Sequence, residues 1–281
     1  MKKIITALAV AAFGVTAFAQ EVATQPAPEK DFVIGAKFDF ESRYISYGKR
    51  IVNENTQTTV SLKYFVPQSS EIGFTPYADF FWMSPTDNER KGVELSNEGS
   101  VTVGTEIAVG ETVTLDLGYK FTGWNDRESS FGMNRADINR QNEIFFGVSR
   151  AFNLIDGNED TAVVGYGRVS YNWNCNELAY EIGLEKSFEL GSDVALKLGA
   201  CYGYVDANDY YGDQHSGANA HNDYGYFAAA ADLSYRVNSG TDIGAGVRYA
   251  YNNDGDDSYV YADPDNNDHN VWWGAWINFR Y

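Results

Sequence analysis

Hydrophobic and polar residues alternate along most of the chain beyond residue 31, most regularly in residues 271–281, VWWGAWINFRY. Every second residue from Val271 to Tyr281 is apolar, whereas the interleaved positions are mixed and end in Asn278 and Arg280. A period of two predicts a β-strand with one face in an apolar medium and the other face in a wetter one.

The same alternation recurs upstream, with the charges confined to one face. In residues 32–41, apolar side chains occupy one side of the predicted strand, and Lys37, Asp39 and Glu41 occupy the other. This arrangement predicts apolar groups facing lipid and charged groups facing a lumen. Twelve such strands are predicted, at 32–41, 58–66, 71–83, 101–109, 113–121, 144–148, 163–173, 178–185, 194–204, 227–236, 242–251 and 271–281.

The connections between these strands alternate in length. Short ones fall at 67–70, 110–111, 153–160, 190–193 and 238–240, and the intervening ones are mostly long, at 46–56, 84–100, 124–140, 206–223 and 252–270. Short periplasmic turns and long extracellular loops are typical of outer-membrane barrels, whereas a soluble β-sandwich has no reason to sort its loops. The sequence therefore predicts an all-β, transmembrane, up-and-down antiparallel β-barrel. The brief link at 174–176 breaks the rhythm, so the predicted count of about 12 strands spans 10–14.

The N-terminus has the pattern of a secretory signal. Lys2 and Lys3 precede an apolar stretch at 4–18, and Ala17 to Ala19 forms an A-x-A cleavage site. We therefore expect a cleaved signal peptide at 1–19, a periplasmic lead at 20–31 and the barrel at 32–281. Since no later stretch approaches the ~20 consecutive apolar residues of a membrane-spanning helix, only a closed barrel could satisfy the backbone in a bilayer.

The charge of the chain excludes one class of partner. Residues 1–19 contain two of the 21 basic residues and none of the 39 acidic ones, so the remainder carries 19 minus 39, a net charge of −20. A nucleic-acid-binding protein needs a basic surface, so that class is excluded. Two cysteines, Cys175 and Cys201, are too few for a disulfide scaffold, and we expect both to be free.

Two segments resemble known outer-membrane proteins. The last strand, with Phe279 and a terminal Tyr281, resembles the closing strand of bacterial outer-membrane barrels, which implies recognition of these aromatics by the barrel-assembly machinery. Residues 42–48, SRYISYG, resemble the S-x-Y-x-x-x-G opening of the TorF-like porins, although Tyr47 replaces the arginine that usually precedes the glycine. The resemblance implies a porin-like barrel in the outer membrane of a Gram-negative-type bacterium and no particular substrate.

The inward positions carry nearly balanced charge and several aromatic rings. They are interpreted either as ion-pair networks that partly fill the barrel or as the lining of a water-filled path with weak cation preference. Twelve strands lie between the roughly eight that side chains fill and the sixteen that leave a channel. The candidate pore-lining residues are Lys37, Asp39, Glu41, Lys63, Asp79, Glu106, Asp116, Lys120, Arg168, Glu181, Glu185, Lys197, Asp232, Arg248, Trp272, Trp276 and Arg280.

The predicted loops offer weaker chemistry. Clustered carboxylates can bind Ca²⁺, although the spacing here is not that of an EF-hand and solvated acidic loops are the alternative. His215, His221 and His269 fall in predicted loops, so we expect no catalytic site and no cofactor. The weak candidates for a divalent-cation site are Asp254, Asp256, Asp257, Asp263 and Asp265.

These observations predict an outer-membrane porin for passive diffusion of small hydrophilic solutes, with outer-membrane lipid and the assembly machinery as its other partners. The alternative is a non-conducting structural or surface-interaction barrel whose acidic extracellular loops bind partners or divalent cations.

Overall fold

The structure is a computed structural model that describes residues 32–52, 54–66, 72–86, 97–110, 112–125, 140–154, 162–174, 176–207, 223–253 and 269–281. Within these ranges the regular elements are β-strands. They are β1 (Phe32–Glu41), β2 (Tyr44–Ser46), β3 (Lys49–Val52), β4 (Asn55–Tyr64), β5 (Ile72–Pro85), β6 (Asn97–Val109), β7 (Val113–Asn125), β8 (Arg140–Asn153), β9 (Ala162–Asn172), β10 (Glu177–Glu189), β11 (Val194–Ala207), β12 (Tyr224–Asn238), β13 (Thr241–Asn252) and β14 (His269–Arg280).

Twelve of these strands close into an antiparallel barrel, and β2 and β3 form a separate two-stranded sheet. Each barrel strand pairs with its neighbour in the chain, except that β1 pairs with β4 on one side and with β14 on the other. The seam is completed by two backbone hydrogen bonds between Ile34 and Tyr281, with N···O distances of 3.1 and 2.9 Å. The predicted twelve-stranded up-and-down barrel is confirmed.

The outer wall of the barrel is apolar. Side chains such as Ile182, which is 66% exposed, Val247 and Val271 project from it. The barrel strands contain 10–15 residues, enough for the ~9–11 that a tilted strand needs to cross a bilayer. The described ranges contain no helix of the length and apolarity that a membrane crossing requires. A closed barrel with an apolar outer wall and a polar interior is the architecture of outer-membrane proteins, and the protein resides in the outer membrane.

Strands extend further toward the long-loop rim than the sequence predicts. Pairing such as Asn55 with Pro85 and Met83 with Glu98 places residues from both ends of the predicted 84–100 loop within strands. The apolar alternation disappears where a strand leaves the hydrocarbon, because both of its faces then contact polar surroundings. The rim at which β1 ends and β14 begins is called the extracellular rim below. At the opposite rim the short turns 190–193 and 238–240 are found as predicted.

One predicted loop is wrong in a consequential way. Residues 46–56 were expected to form a long loop, but the chain forms the β2–β3 hairpin between β1 and β4. Ile45 in this hairpin is 0% exposed, and it packs among side chains of the inner wall. Sequence periodicity missed the hairpin because its strands are too short, at three and four residues, to show an alternation.

The short link between β9 and β10 is a true extracellular connection. An amide network supports it: the Asn142 side-chain nitrogen donates to Asn174 Oδ1 at 2.6 Å, and the Asn174 backbone nitrogen donates to Asn172 Oδ1 at 3.2 Å. Asn176 adopts a positive φ of 49°, a conformation that asparagine tolerates better than most residues. The Tyr171 hydroxyl donates to Asn176 Oδ1 at 3.0 Å. The barrel wall therefore extends less far toward the extracellular side at this position.

Candidate pore and its internal hairpin

All of the candidate pore-lining residues lie on the inner face of the barrel. They alternate with the outward apolar residues along their strands, and the register shift between Arg236 and Asn238 lies beyond Asp232 on β12. Their structural position therefore agrees with the sequence pattern, and their role in conduction stays a prediction. Residues among them that are buried include Asp39, Glu41, Glu106, Asp116, Arg168, Glu181, Asp232, Arg248 and Trp272.

Several inward rings lie flat against the wall, each over a glycine on the neighbouring strand. Tyr77 stands opposite Gly104, and Phe145 stands opposite Gly118. A Cβ atom at either glycine would collide with the ring, so only glycine leaves room for this packing. The same arrangement recurs for the ring–glycine pairs Tyr166–Gly183, Tyr226–Gly203 and Trp276–Gly244.

Three of these rings carry a basic group on the face that is turned to the lumen. The Arg168 guanidinium carbon lies 3.9 Å from the Phe145 ring centroid. The Lys63 ammonium lies 5.7 Å from the Tyr77 centroid, and the Lys37 ammonium lies 5.6 Å from a Trp276 ring centroid. Cation–π contacts of this kind contribute about 0.5–2 kcal/mol, depending on desolvation. Each cation is therefore held close to the wall.

The same three cations are also ion-paired. Lys63 Nζ lies 2.8 Å from Glu106 Oε1, Arg168 Nη2 lies 3.2 Å from Glu143 Oε1, and Lys37 Nζ lies 2.6 Å from Asp39 Oδ1. A base that is fixed by both a ring and a carboxylate has little freedom to reach into the lumen.

Arg248 is the centre of a buried network between β1, β12, β13 and β14. Its side chain is 0% exposed, with Nη1 2.9 Å from Glu41 Oε1 and Nη2 3.0 Å from Asp232 Oδ1. The Trp272 indole nitrogen donates to Glu41 Oε2 at 3.0 Å. Two carboxylates therefore share one guanidinium in this network.

Two further buried carboxylates accept hydrogen bonds from tyrosines. The Tyr77 hydroxyl donates to Asp116 Oδ1 at 2.9 Å, and the Tyr226 hydroxyl donates to Glu181 Oε2 at 2.5 Å. Within the described ranges, neither Asp116 nor Glu181 forms a salt bridge. The inner wall thus combines ion-paired bases with buried carboxylates that hydroxyl groups hold through hydrogen bonds.

The β2–β3 hairpin turns through Tyr47 and Gly48. Ser46 pairs with Lys49, and the two residues between them have φ values of 46° and 77°. Positive φ at both central positions defines a type I′ turn, which favours asparagine and glycine. A tyrosine in this conformation costs on the order of 1–2 kcal/mol, so contacts elsewhere must hold Tyr47 in place.

Hydrogen bonds attach the hairpin to β6 and β8, two strands of the wall that are separated by β7. The Tyr44 hydroxyl donates to Glu98 Oε1 of β6 at 3.2 Å, and the Tyr47 hydroxyl donates to Glu143 Oε2 of β8 at 3.4 Å. Burial, reinforced by the neighbouring carboxylates, raises the pKa of both tyrosines well above the usual value. Both hydroxyls therefore remain protonated and can donate.

The turn backbone and the residue before the hairpin are attached as well. The Asn252 side-chain nitrogen donates to the Gly48 carbonyl oxygen at 3.1 Å, and Arg43 Nη1 donates to Asn270 Oδ1 at 3.2 Å. Gly48 lies so close to Tyr226 that a Cβ atom would collide with its side chain. The hairpin is therefore fixed to β13 and β14 in addition to β6 and β8.

The hairpin docks in a cluster where small residues of the inner wall lie among the rings of Tyr224, Tyr226 and Trp272. Ile45 packs in a cluster that includes Ala179, Cys201, Ala228 and Ala250. Burying an isoleucine side chain contributes about 1.5–3 kcal/mol. The inward alanines are the sequence signal for this docking position, since small side chains leave room between the larger rings for another element. Cys201 is a free thiol at this docking position, as expected.

Several predictions fall outside the described residues: the segments 1–19 and 20–31, Cys175, His215, His221 and the aspartates of the 252–270 loop. They stay predictions. His269 was expected in a loop but is the first residue of β14, where its Nδ1 lies 2.7 Å from the Tyr249 hydroxyl. Within the described ranges no cluster of potential metal ligands occurs.

Comparisons with known proteins identify the fold and no family. No protein-family model matches the chain, and no curated protein matches it in sequence, so the resemblance to the TorF-like porins is not confirmed. The crystal structure of an outer-membrane channel from Pseudomonas putida F1 matches with a TM-score of 0.54 and 10% identity, over 92% of this chain and 99% of that one.

Two porins match with lower scores. The KdgM porin has a TM-score of 0.46 and 8% identity, over 88% of this chain and 98% of that one. The NanC porin has a TM-score of 0.45 and 14% identity, with the same coverage of 88% and 98%. At these identities the likeness concerns the fold alone. The chain is thus an outer-membrane β-barrel with a charged interior that an inserted hairpin narrows near its extracellular rim.

Proposed function

We propose that the protein is a porin through which small hydrophilic solutes diffuse passively across the outer membrane. The observation that carries the proposal is the contrast between the two faces of one closed sheet: the outer face is apolar, and the inner face bears acids and bases along its length. Charged groups inside a barrel are tolerated where they are paired or hydrated, and hydration supplies a path for polar solutes. The fold likeness to an outer-membrane channel supports the same class of function.

We further propose that the path prefers cations weakly. Lys37, Lys63 and Arg168 are each held by a ring and a carboxylate at the wall. Asp116 and Glu181 instead accept hydrogen bonds from neutral hydroxyl groups. Where these two carboxylates are ionised, a permeating ion meets negative charge, and acidic side chains along a pore favour cations.

Planar-bilayer recording of the purified, folded chain tests both parts. We expect discrete, ohmic openings, and in a KCl gradient a reversal potential of the sign that cation preference produces. A correctly folded barrel without openings contradicts the porin. A reversal potential of the opposite sign contradicts the cation preference and leaves the porin intact. A liposome-swelling series with sugars, amino acids and nucleosides would then define the solutes.

A matched pair of variants isolates the lumen charge. Asp116→Asn keeps an oxygen that can accept the Tyr77 hydrogen bond and removes the charge, so we expect the reversal potential to move toward zero. Asp193→Asn makes the same change at an exposed turn on the opposite rim and should leave it unchanged.

The alternative is a silent barrel whose extracellular loops bind partners. Its candidate ligands Asp254, Asp256, Asp257, Asp263 and Asp265 would bind Ca²⁺, which would raise the melting temperature of the folded barrel. Discrete openings, combined with a melting temperature that Ca²⁺ leaves unchanged, would exclude this alternative. The porin proposal involves no catalytic residue and no cofactor. Recognition of Phe279 and Tyr281 by the barrel-assembly machinery is proposed with it.

A further inference from the structure

We propose that the β2–β3 hairpin is the size filter of the channel, a fixed constriction positioned by Tyr44 and Tyr47. The inference rests on the proposed function, because a filter requires a path. It assigns the size limit for solutes to one element of the fold, and it names the side chains that hold this element in place.

The reach of the hairpin supports this role. Its hydrogen bonds extend from Glu98 on β6 and Glu143 on β8 to Asn252 on β13, so it contacts separate parts of the circumference. Roughly eight strands enclose an interior that side chains alone can fill, and each further strand widens it. The barrel has twelve strands, and the hairpin occupies part of the additional space near the extracellular rim.

The turn residue provides independent evidence that the position of the hairpin matters. A type I′ turn accepts asparagine or glycine without strain, yet Tyr47 occupies it with a φ of 46°. The ring of Tyr47 packs edge-on against Tyr226 at a centroid distance of 6.1 Å. The Tyr47 hydroxyl lies 3.5 Å from Ser170 Oγ. Tyr47 is thus unfavourable for the turn, yet it is the residue that attaches the turn of the hairpin to the wall across the lumen.

The wall is shaped to receive the hairpin. Ala228, Ala250 and Ile45 are fully buried against one another, and Cys201 is nearly so. Tyr44 packs on the other side with Met83 and with Phe81, whose ring is stacked at 6.4 Å. Apolar contacts on both sides explain why the hairpin stays in the lumen although it could extend into solvent.

The test measures single-channel conductance and the largest polyethylene glycol that enters the pore. One variant replaces residues 44–52 by a short Gly-Ser link. Tyr47→Asn keeps the turn geometry and removes the anchor, and Tyr44→Phe removes one hydrogen bond. Tyr180→Phe makes the same change on the outer wall and serves as the control. Heat-modifiable migration in gels verifies that each variant is folded.

We expect the deletion to raise the conductance several-fold and to admit larger polymers. Tyr47→Asn should also raise the conductance and the polymer size limit, but by less than the deletion does. Tyr180→Phe should behave like the native protein. If the native protein conducts and the deletion leaves both the conductance and the polymer limit unchanged, the hairpin is not the size filter. The proposed porin function is then unaffected. If only the deletion conducts, the hairpin restricts the lumen and passive diffusion through the native protein is wrong.

Cys201 provides a readout that is independent of conduction. In a Cys175→Ser background, a bulky membrane-impermeant thiol reagent should label Cys201 slowly, because Cys201 is buried in the cluster that contains Ile45 of the hairpin, and faster after the deletion. If neither the native protein nor the deletion variant conducts, the labelling rates test the inference. Equal rates contradict it, and faster labelling after the deletion supports it.

Discussion

Gly118 illustrates how single residues build the inner wall. The absence of a side chain lets the Phe145 ring lie on the neighbouring strand, and Arg168 lies on the other face of that ring. The three residues form a stack from backbone to lumen, so a change at the glycine propagates to the guanidinium and to its partner Glu143. Inward glycines in this barrel are therefore packing positions.

This stack predicts the effect of adding one methyl group. Gly118→Ala forces the Phe145 ring from the wall, and overpacking of this kind costs about 1–3 kcal/mol. Gly167→Ala adds the same group where its Cβ meets only ordinary contacts at 3.8–3.9 Å, so its cost should stay within about 0.5 kcal/mol. Urea unfolding in lipid vesicles measures both free energies. Equal values for the two variants would contradict the role of the ring–glycine contact.

Arg248 provides a second test at the scale of one residue. Arg248→Met leaves Glu41 and Asp232 buried without their shared cation, and removing one partner of a buried ion pair typically costs about 3–5 kcal/mol. Arg236→Met makes the same change at a side chain that is 47% exposed, where about 0–1 kcal/mol is expected. A similar loss of unfolding free energy in both variants would show that the buried ion pairs of Arg248 stabilise the fold no more than an exposed arginine does.

At the scale of the element, the β9–β10 connection depends on one backbone conformation. Asn176 has a φ of 49°. Asn176→Ala should cost about 1–2 kcal/mol, because a Cβ without a helpful polar group is unfavourable there. Asn176→Gly removes the same side chain and relaxes the backbone, so it should cost less. The urea midpoints of the two variants separate these effects. An alanine variant as stable as the glycine variant would show that the positive φ at residue 176 has no effect on stability.

The elements also show where sequence reasoning succeeds. Strands such as β7 and β14 were predicted because hydrocarbon on one side and a polar lumen on the other impose a period of two. The extracellular ends of β5 and β6 were missed because that contrast ends at the membrane surface. The hairpin was missed because its burial depends on small residues at 228 and 250 that are distant in sequence. The alternation along each strand predicts which charges point inward, whereas their attachment to rings depends on the register between strands.

At the scale of the whole molecule, the apolar outer wall determines where the barrel can reside. Ile182→Arg places a charge at the middle of a strand that faces outward, and such a change costs about 2–4 kcal/mol at the bilayer midplane. Val237→Arg makes the same kind of change near the short-turn rim, where about 0–1 kcal/mol is expected. Folding free energies in lipid vesicles measure this depth dependence. Equal costs at the two positions would contradict the membrane-spanning orientation.

The seam between β1 and β14 has a consequence for biogenesis. The strands that pair there, through residues such as Gly35 and Arg280, are separated by nearly the whole polypeptide. Until β14 is available, an incomplete sheet exposes unpaired amide and carbonyl groups along two edges, and hydrocarbon does not tolerate them. The growing chain consequently has no stable membrane-resident intermediate of its own.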